Sequence, residues 1–122
     1  MSKRILIVED DPDGQVLVAH VVHHLRIEHD IAGDAEQALQ QLYDDGSSYQ
    51  AVIIDLALPG KNGWELLAAI RNDDALAGLT CIAVTGFHSS KTREDALKAG
   101  FDAYFSKPLD AAHFARELSS LL

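Results

Sequence analysis

The chain has 122 residues and a formal net charge of −9, ten Lys and Arg against nineteen Asp and Glu. That length suits one domain, and 48% hydrophobic with 24% charged residues is an ordinary globular balance that excludes disorder. The acidity disfavours direct binding to nucleic acid or to an anionic membrane surface.

Taken in chain order, short apolar runs alternate with amphipathic stretches. Ile5 to Val8 reads as a strand buried on both faces. The run follows Lys3-Arg4 and is cut off by three acids, too short for a signal peptide. Pro12 suits the first turn of a helix on which Leu17, Val18, Val21 and Leu25 share a face. A weaker strand spans Ile27 to Ile31. Asp34 and Gln37 have the spacing of a capping box ahead of Ala35, Ala38, Leu39 and Leu42. Ala51 to Ile54 is a second buried strand, followed by a helical stripe of Leu66, Leu67 and Ile70. Cys81 to Val84 is a third. The lone Cys81 lies inside it, so a buried, inert thiol is expected, with neither a disulfide framework nor a Cys-based zinc site. Ser89 or Ser90 opens a helix that Gly100 closes after Leu97 and Ala99. Ala103 to Phe105 is a last, weaker strand, and Asp110 caps a helix with Phe114, Leu118 and Leu121 inward.

The order is strand then helix, five times, which implies an α/β domain with a parallel sheet and helices on both faces. No run approaches the ~18–20 apolar residues of a membrane span. A cytoplasmic setting is the expectation.

In such sheets ligands bind beyond the carboxyl ends of the strands. After the first strand come Glu9, Asp10 and Asp11; after the third, Asp55; after the fourth, Thr85; after the fifth, Lys107 and Pro108. The second, an expected edge strand, is followed only by Ala32-Gly33. Several carboxylates crowded together need a cation, and hard oxygen ligands with room for water suit Mg²⁺. Mg²⁺, an ammonium and a hydroxyl together fit a phosphoryl group, and a carboxylate such as Asp55 can form an acyl phosphate. Read singly, the three acids could merely favour the positive end of the following helix, and Thr85 and Lys107 carry little. The combination carries the signal.

At these residues the sequence resembles the receiver domain of two-component response regulators. The matching segments are Ile5 to Asp11, Asp55 to Gly63, Val84-Thr85-Gly86, Ala99-Gly100 and Lys107-Pro108, in order and at similar separations. The resemblance covers nearly the whole chain, and residues 1–122 are expected to form one receiver domain. It implies a flavodoxin-like, doubly wound (βα)5 fold with a five-stranded parallel sheet in the order 2-1-3-4-5. It also implies that Asp55 is the phosphoacceptor, and that Glu9, Asp10 and Asp55 hold Mg²⁺ with the backbone carbonyl of Ala57. Thr85 and Lys107 would bind phosphoryl oxygens, with Lys107 aimed by a cis peptide to Pro108. Thr85 and Tyr104 would act as the switch pair that alters the face of the fourth helix, fifth strand and fifth helix. The implied partners are a sensor histidine kinase or histidine phosphotransfer protein and a downstream protein target. No direct nucleic-acid or membrane contact is implied, and the chain is expected to be a monomer or weak dimer. Such a domain is a signalling element whose only chemistry is its own phosphotransfer and slow self-dephosphorylation. Ala57 and Phe87, each two residues past a key position, lack a polar group to orient water, so slow hydrolysis is expected.

In receivers the start of the first helix docks on the donor's helical bundle. Val16 and Ala19, off the core face, are the expected contact. His20 and His24 are four apart, a chelating spacing, but read as ordinary helix surface. The chain ends at Leu122 within the fifth helix, so no output domain is expected within it; either a free-standing regulator or a receiver cut from a larger protein is implied. The alternative is a haloacid-dehalogenase-like phosphatase using an aspartyl phosphate, which places Asp-x-Asp after its first strand; here the candidate follows the third and Ala57 stands two beyond it. A flavodoxin-like cofactor binder would want a glycine- or hydroxyl-rich first loop rather than three acids.

Overall fold

The computed structural model of the chain describes residues 4–58, 60–86 and 90–122. The elements are β1 (Arg4–Val8), α1 (Pro12–His24), β2 (His29–Ala32), α2 (Ala35–Asp45), β3 (Tyr49–Asp55), α3 (Gly63–Arg71), β4 (Thr80–Thr85), α4 (Ser90–Ala99), β5 (Ala103–Ser106) and α5 (Ala111–Leu121). A short 3-10 turn, Gly46–Ser48, leads into β3. The five strands form one parallel sheet in the order β2-β1-β3-β4-β5. This is the doubly wound arrangement expected from the sequence.

Alternation along each strand divides the core in two. Leu6, Val8, Val52, Ile54 and Ala83 face α2 and α3, where Leu39, Leu42, Leu66, Leu67 and Ile70 cover them. Ile5, Ile7, Ile53, Ile82 and Val84 face α1 and α5, against Val18, Val22, Phe114 and Leu118. Phe105 meets Phe114 edge-on at 4.8 Å. Burying side chains of this size contributes ~1.5–3 kcal/mol each, so both sides of the sheet hold their helices firmly.

Several boundaries and faces differ from expectation. β2 starts at His29, because α1 ends in a turn in which Arg26 takes a left-handed conformation (φ 61°) and the Ile27 amide returns to the Val22 carbonyl. Leu17 is exposed, and Val22 takes its place in the stripe 18, 21, 22, 25. That stripe follows the helical period without a gap. Ala19, at its edge, is half-buried against the core, whereas Val16 is 69% exposed. On α4 the buried residue is Ala96, while Leu97 is exposed. Asp34 caps α2 by accepting from the Gln37 amide, but the Gln37 side chain returns to the Gly33 amide, one residue outside a true box. The full capping box lies on α3, between Asn62 and Glu65.

Candidate functional site

Asp55 is the last residue of β3 and Thr85 the last of β4, so the sheet itself aims both at the carboxyl rim. Val84 is Asp55's register partner, and Thr85 lies one residue beyond it. β1 delivers Glu9, whose amide extends the ladder by donating to the Ala32 carbonyl at 3.0 Å. Lys107 follows β5. Its amide donates to the Thr85 carbonyl at 2.8 Å, and the Lys107-Pro108 peptide is cis. Gly63 closes the site from below: a Cβ there would sit 2.6 Å from the Asp55 carbonyl oxygen and 2.8 Å from the Leu56 Cα. Only glycine lets α3 start this close to the end of β3.

Glu9, Asp10 and Asp55 each bring a carboxylate oxygen within 4.8 Å of the others. Glu9 and Asp55 are 3% and 6% exposed, while Asp10 faces solvent. The Lys107 ammonium donates to Glu9 Oε1 at 2.6 Å and to Asp55 Oδ2 at 3.1 Å. The Ala57 amide donates to Asp55 Oδ1 at 2.9 Å. Thr85 is buried beside this group, and Tyr104 is half-buried on β5, paired with Ala83. The structure thus gathers Glu9, Asp10, Asp55 and Lys107 directly, brings Ala57 in through its amide, and sets Thr85 on the adjoining strand end. Tyr104 stands outside the acidic group. Phe87, His88, Ser89 and Pro59 lie outside the described residues, as do Met1 to Lys3.

Two buried acids around one ammonium share their charge unequally. Burial, and then the neighbouring Asp55, push the Glu9 carboxyl up to about 8. Burial also works to raise Asp55, but hydrogen bonds from Glu9, the Ala57 amide and Lys107 together hold it below the ordinary carboxylate range. Burial works against the Lys107 charge, and the two acids outweigh it, so its pKa is raised. One oxygen, Glu9 Oε2, is buried with no hydrogen-bond partner. An orphaned acceptor beside two further carboxylates, with a single ammonium among them, is a donor set that fits a hard divalent cation.

Two neighbours were not singled out by the sequence. Gln15 donates to the Glu9 carbonyl at 2.7 Å, and Gly14 lies against the Glu9 carboxylate. Gln15 reads as ordinary helix surface, whereas a glycine within the helical pattern is the one signal that could have pointed to Gly14. A broad cavity of about 820 Å³ opens at the opposite rim, beside Arg4, Arg26 and His29, and has no part in this chemistry.

A parallel sheet with an acidic notch and a lysine at its carboxyl rim defines the chemotaxis-regulator-like class of α/β signalling domains. Residues 5–119 match the response regulator receiver domain family, and the chain belongs to that family. It is 33% identical over 124 residues to Regulatory protein VanRB of Enterococcus faecalis, covering 100% of this chain and 53% of VanRB. A response regulator receiver domain protein from Methanospirillum hungatei superposes with TM-score 0.85 at 28% identity, covering 98% of this chain and 93% of that one. The receiver domain of a Pseudomonas aeruginosa sensor histidine kinase, solved with magnesium coordinated in its active-site cleft, gives TM-score 0.86 at 27% identity, covering 99% and 98%. The chain spans about half the length of the curated regulators VanRB and RppA that it matches. It is a receiver domain of two-component signalling. The phosphatase alternative finds no support in these matches or in the position of Asp55 on the third strand. Among the described residues no helix is long and apolar enough to cross a membrane.

Proposed function

We propose that Asp55 is the phosphoacceptor and that Glu9, Asp10, Asp55 and the Ala57 carbonyl hold Mg²⁺. The observation that carries this reading is the convergence of three carboxylates, two of them held by Lys107, with Glu9 Oε2 left unpartnered in the buried notch. An Asp55 carboxylate oxygen attacks phosphorus in line. The new P–O bond forms as the P–N bond to the donor's histidine breaks, and the imidazole leaves with the electron pair. Bound Mg²⁺ would supply positive charge to the phosphoryl oxygens. Lys107, already 3.1 Å from Asp55, adds a second positive charge. Lowered basicity keeps Asp55 ionised for attack at neutral pH.

Once Asp55 carries the acyl phosphate, the phosphoryl charge draws Thr85 and Lys107. Movement of Thr85 biases a two-state equilibrium in which Tyr104 and the face of α4, β5 and α5 change together. The partners proposed are a histidine kinase or phosphotransfer protein as donor and a downstream protein as target, in the cytoplasm, with the chain a monomer or weak dimer. Hydrolysis is slow, because the exposed Ala57 offers attacking water no polar side chain; a phospho-form lasting only seconds would contradict this.

The test is treatment with Mg²⁺ and acetyl phosphate or beryllofluoride, followed by mass and NMR. Wild type gains one phosphoryl group and shifts its amide spectrum. Asp55→Asn does neither. Modification of Asp55→Asn at the wild-type rate would overturn the reading.

A further inference from the structure

Gly14 is the third residue of α1. Glycine inside a helix is less favourable than alanine, and no left-handed dihedral requires it here, since among the described glycines only Gly60 and Gly100 have positive φ. The reason lies across the turn. A Cβ at Gly14 would collide with Glu9 Oε1 and lie 2.8 Å from Cδ and 3.1 Å from Cγ of the same side chain. The atom it would strike is the one that accepts from Lys107 at 2.6 Å. The Glu9 side chain is buried and its other oxygen is the orphan of the site.

We propose that Gly14 is a positioning residue: its missing side chain seats the Glu9 carboxylate against Lys107 and within reach of Asp10 and Asp55, and so sets the affinity for Mg²⁺. The inference rests on the Mg²⁺ reading above and adds a residue to it. Glutamate is one methylene longer than aspartate. It fits this strand end only because the first turn of α1 leaves a gap beside it. With a methyl group at position 14 the carboxylate must swing aside, which breaks its bond to Lys107 and moves a ligand oxygen out of the cluster. Groups that orient metal ligands typically alter affinity by ~10–100-fold when changed.

The experiment is a calorimetric titration of the full chain with Mg²⁺ alone, with thermal melting of the metal-free proteins alongside. The proteins are wild type, Gly14→Ala, Glu9→Asp and the double variant. Gly14→Ala is expected to weaken Mg²⁺ roughly tenfold in the native background, and less than about twofold in the Glu9→Asp background, where the shorter acid clears the methyl group. If Gly14→Ala alone does not fold, recovery of melting in the double variant supports the collision, and no recovery overturns it. Equal loss of Mg²⁺ affinity in both backgrounds, or no loss in either, overturns the role of Gly14 while leaving the metal site standing. A wild type that takes up no Mg²⁺ sinks the metal reading, and this inference with it.

Discussion

Glu9 carries the most pH-dependent chemistry of the site. Its carboxyl is pushed up to about 8 in the folded protein, from an ordinary value of 4.5, first by burial and then by Asp55. Between those values the folded state binds a proton that the unfolded chain has released, so stability falls as pH rises through the window. Asp55 has the opposite sign: its lowered pKa contributes stability above the ordinary carboxylate range that is lost only on further acidification. The metal-free wild type should therefore melt at progressively lower temperature from about pH 5 to about pH 8. Glu9→Gln, which cannot titrate, should flatten that slope, and so should saturating Mg²⁺, which favours the ionised acid. Melting curves across this range decide it. A slope that persists in Glu9→Gln would assign the titration to another group.

At the scale of elements, Arg71 ties the end of α3 both to the nearby entry of β4 and to the sequence-distant turn before β5. From the end of α3 its guanidinium donates to the Ala77 and Leu79 carbonyls at 2.8 and 2.6 Å. It also donates twice to the Gly100 carbonyl, at 3.2 and 2.7 Å, and to Asp102 at 3.1 Å. Asp102 in turn accepts from the Cys81 amide at 2.8 Å. One side chain thus fixes the entry to β4 and the turn between α4 and β5. Arg71→Met should lower stability by about 2–4 kcal/mol, since charged hydrogen bonds contribute ~1.5–3 kcal/mol and several carbonyls lose their donor at once. Arg71→Lys should recover only part of this, because an ammonium lacks the planar fork. Denaturant midpoints of the three proteins test the order. None of this was legible in the sequence, because an arginine at a helix end reads as solvated and its acceptors are mostly backbone carbonyls. The strand-end residues were legible because parallel strands buried on both faces read as continuous apolar runs and all end at one rim, as with Asp55 and Thr85. The exchange of Leu17 for Val22 was harder to see, since both are apolar on one helix and only the sheet's position decides between them. Glu9 meeting Lys107 and Gly14 beside Glu9 are side-chain conformations that spacing alone does not specify.

For the molecule as a whole, the site opens between two different surfaces. On one side α1 begins directly after the acid pair, and Val16, 69% exposed, stands on its first turns away from the core stripe. On the other, α4, β5 and α5 surround Tyr104, with Arg93 and His113 beside it in one shallow cavity. On the proposed reading, a donor's anionic phosphohistidine meets a notch in a chain of net charge −9, so apolar contact beside the notch would offset unfavourable charge. That argues for α1 as the docking face, with the Tyr104 side left open for the target. The prediction separates docking from chemistry. Val16→Glu should slow phosphotransfer from a protein donor by roughly tenfold, the effect of losing ~1.4 kcal/mol at an interface anchor. Because Val16 is exposed and apolar and is none of the residues placed in the notch, modification by acetyl phosphate should proceed at the wild-type rate and the melting temperature should hold. Parallel rate measurements with the two donors check this. If both rates fell together, the substitution would be acting on the acidic notch; if neither fell, donor docking would lie elsewhere on the rim.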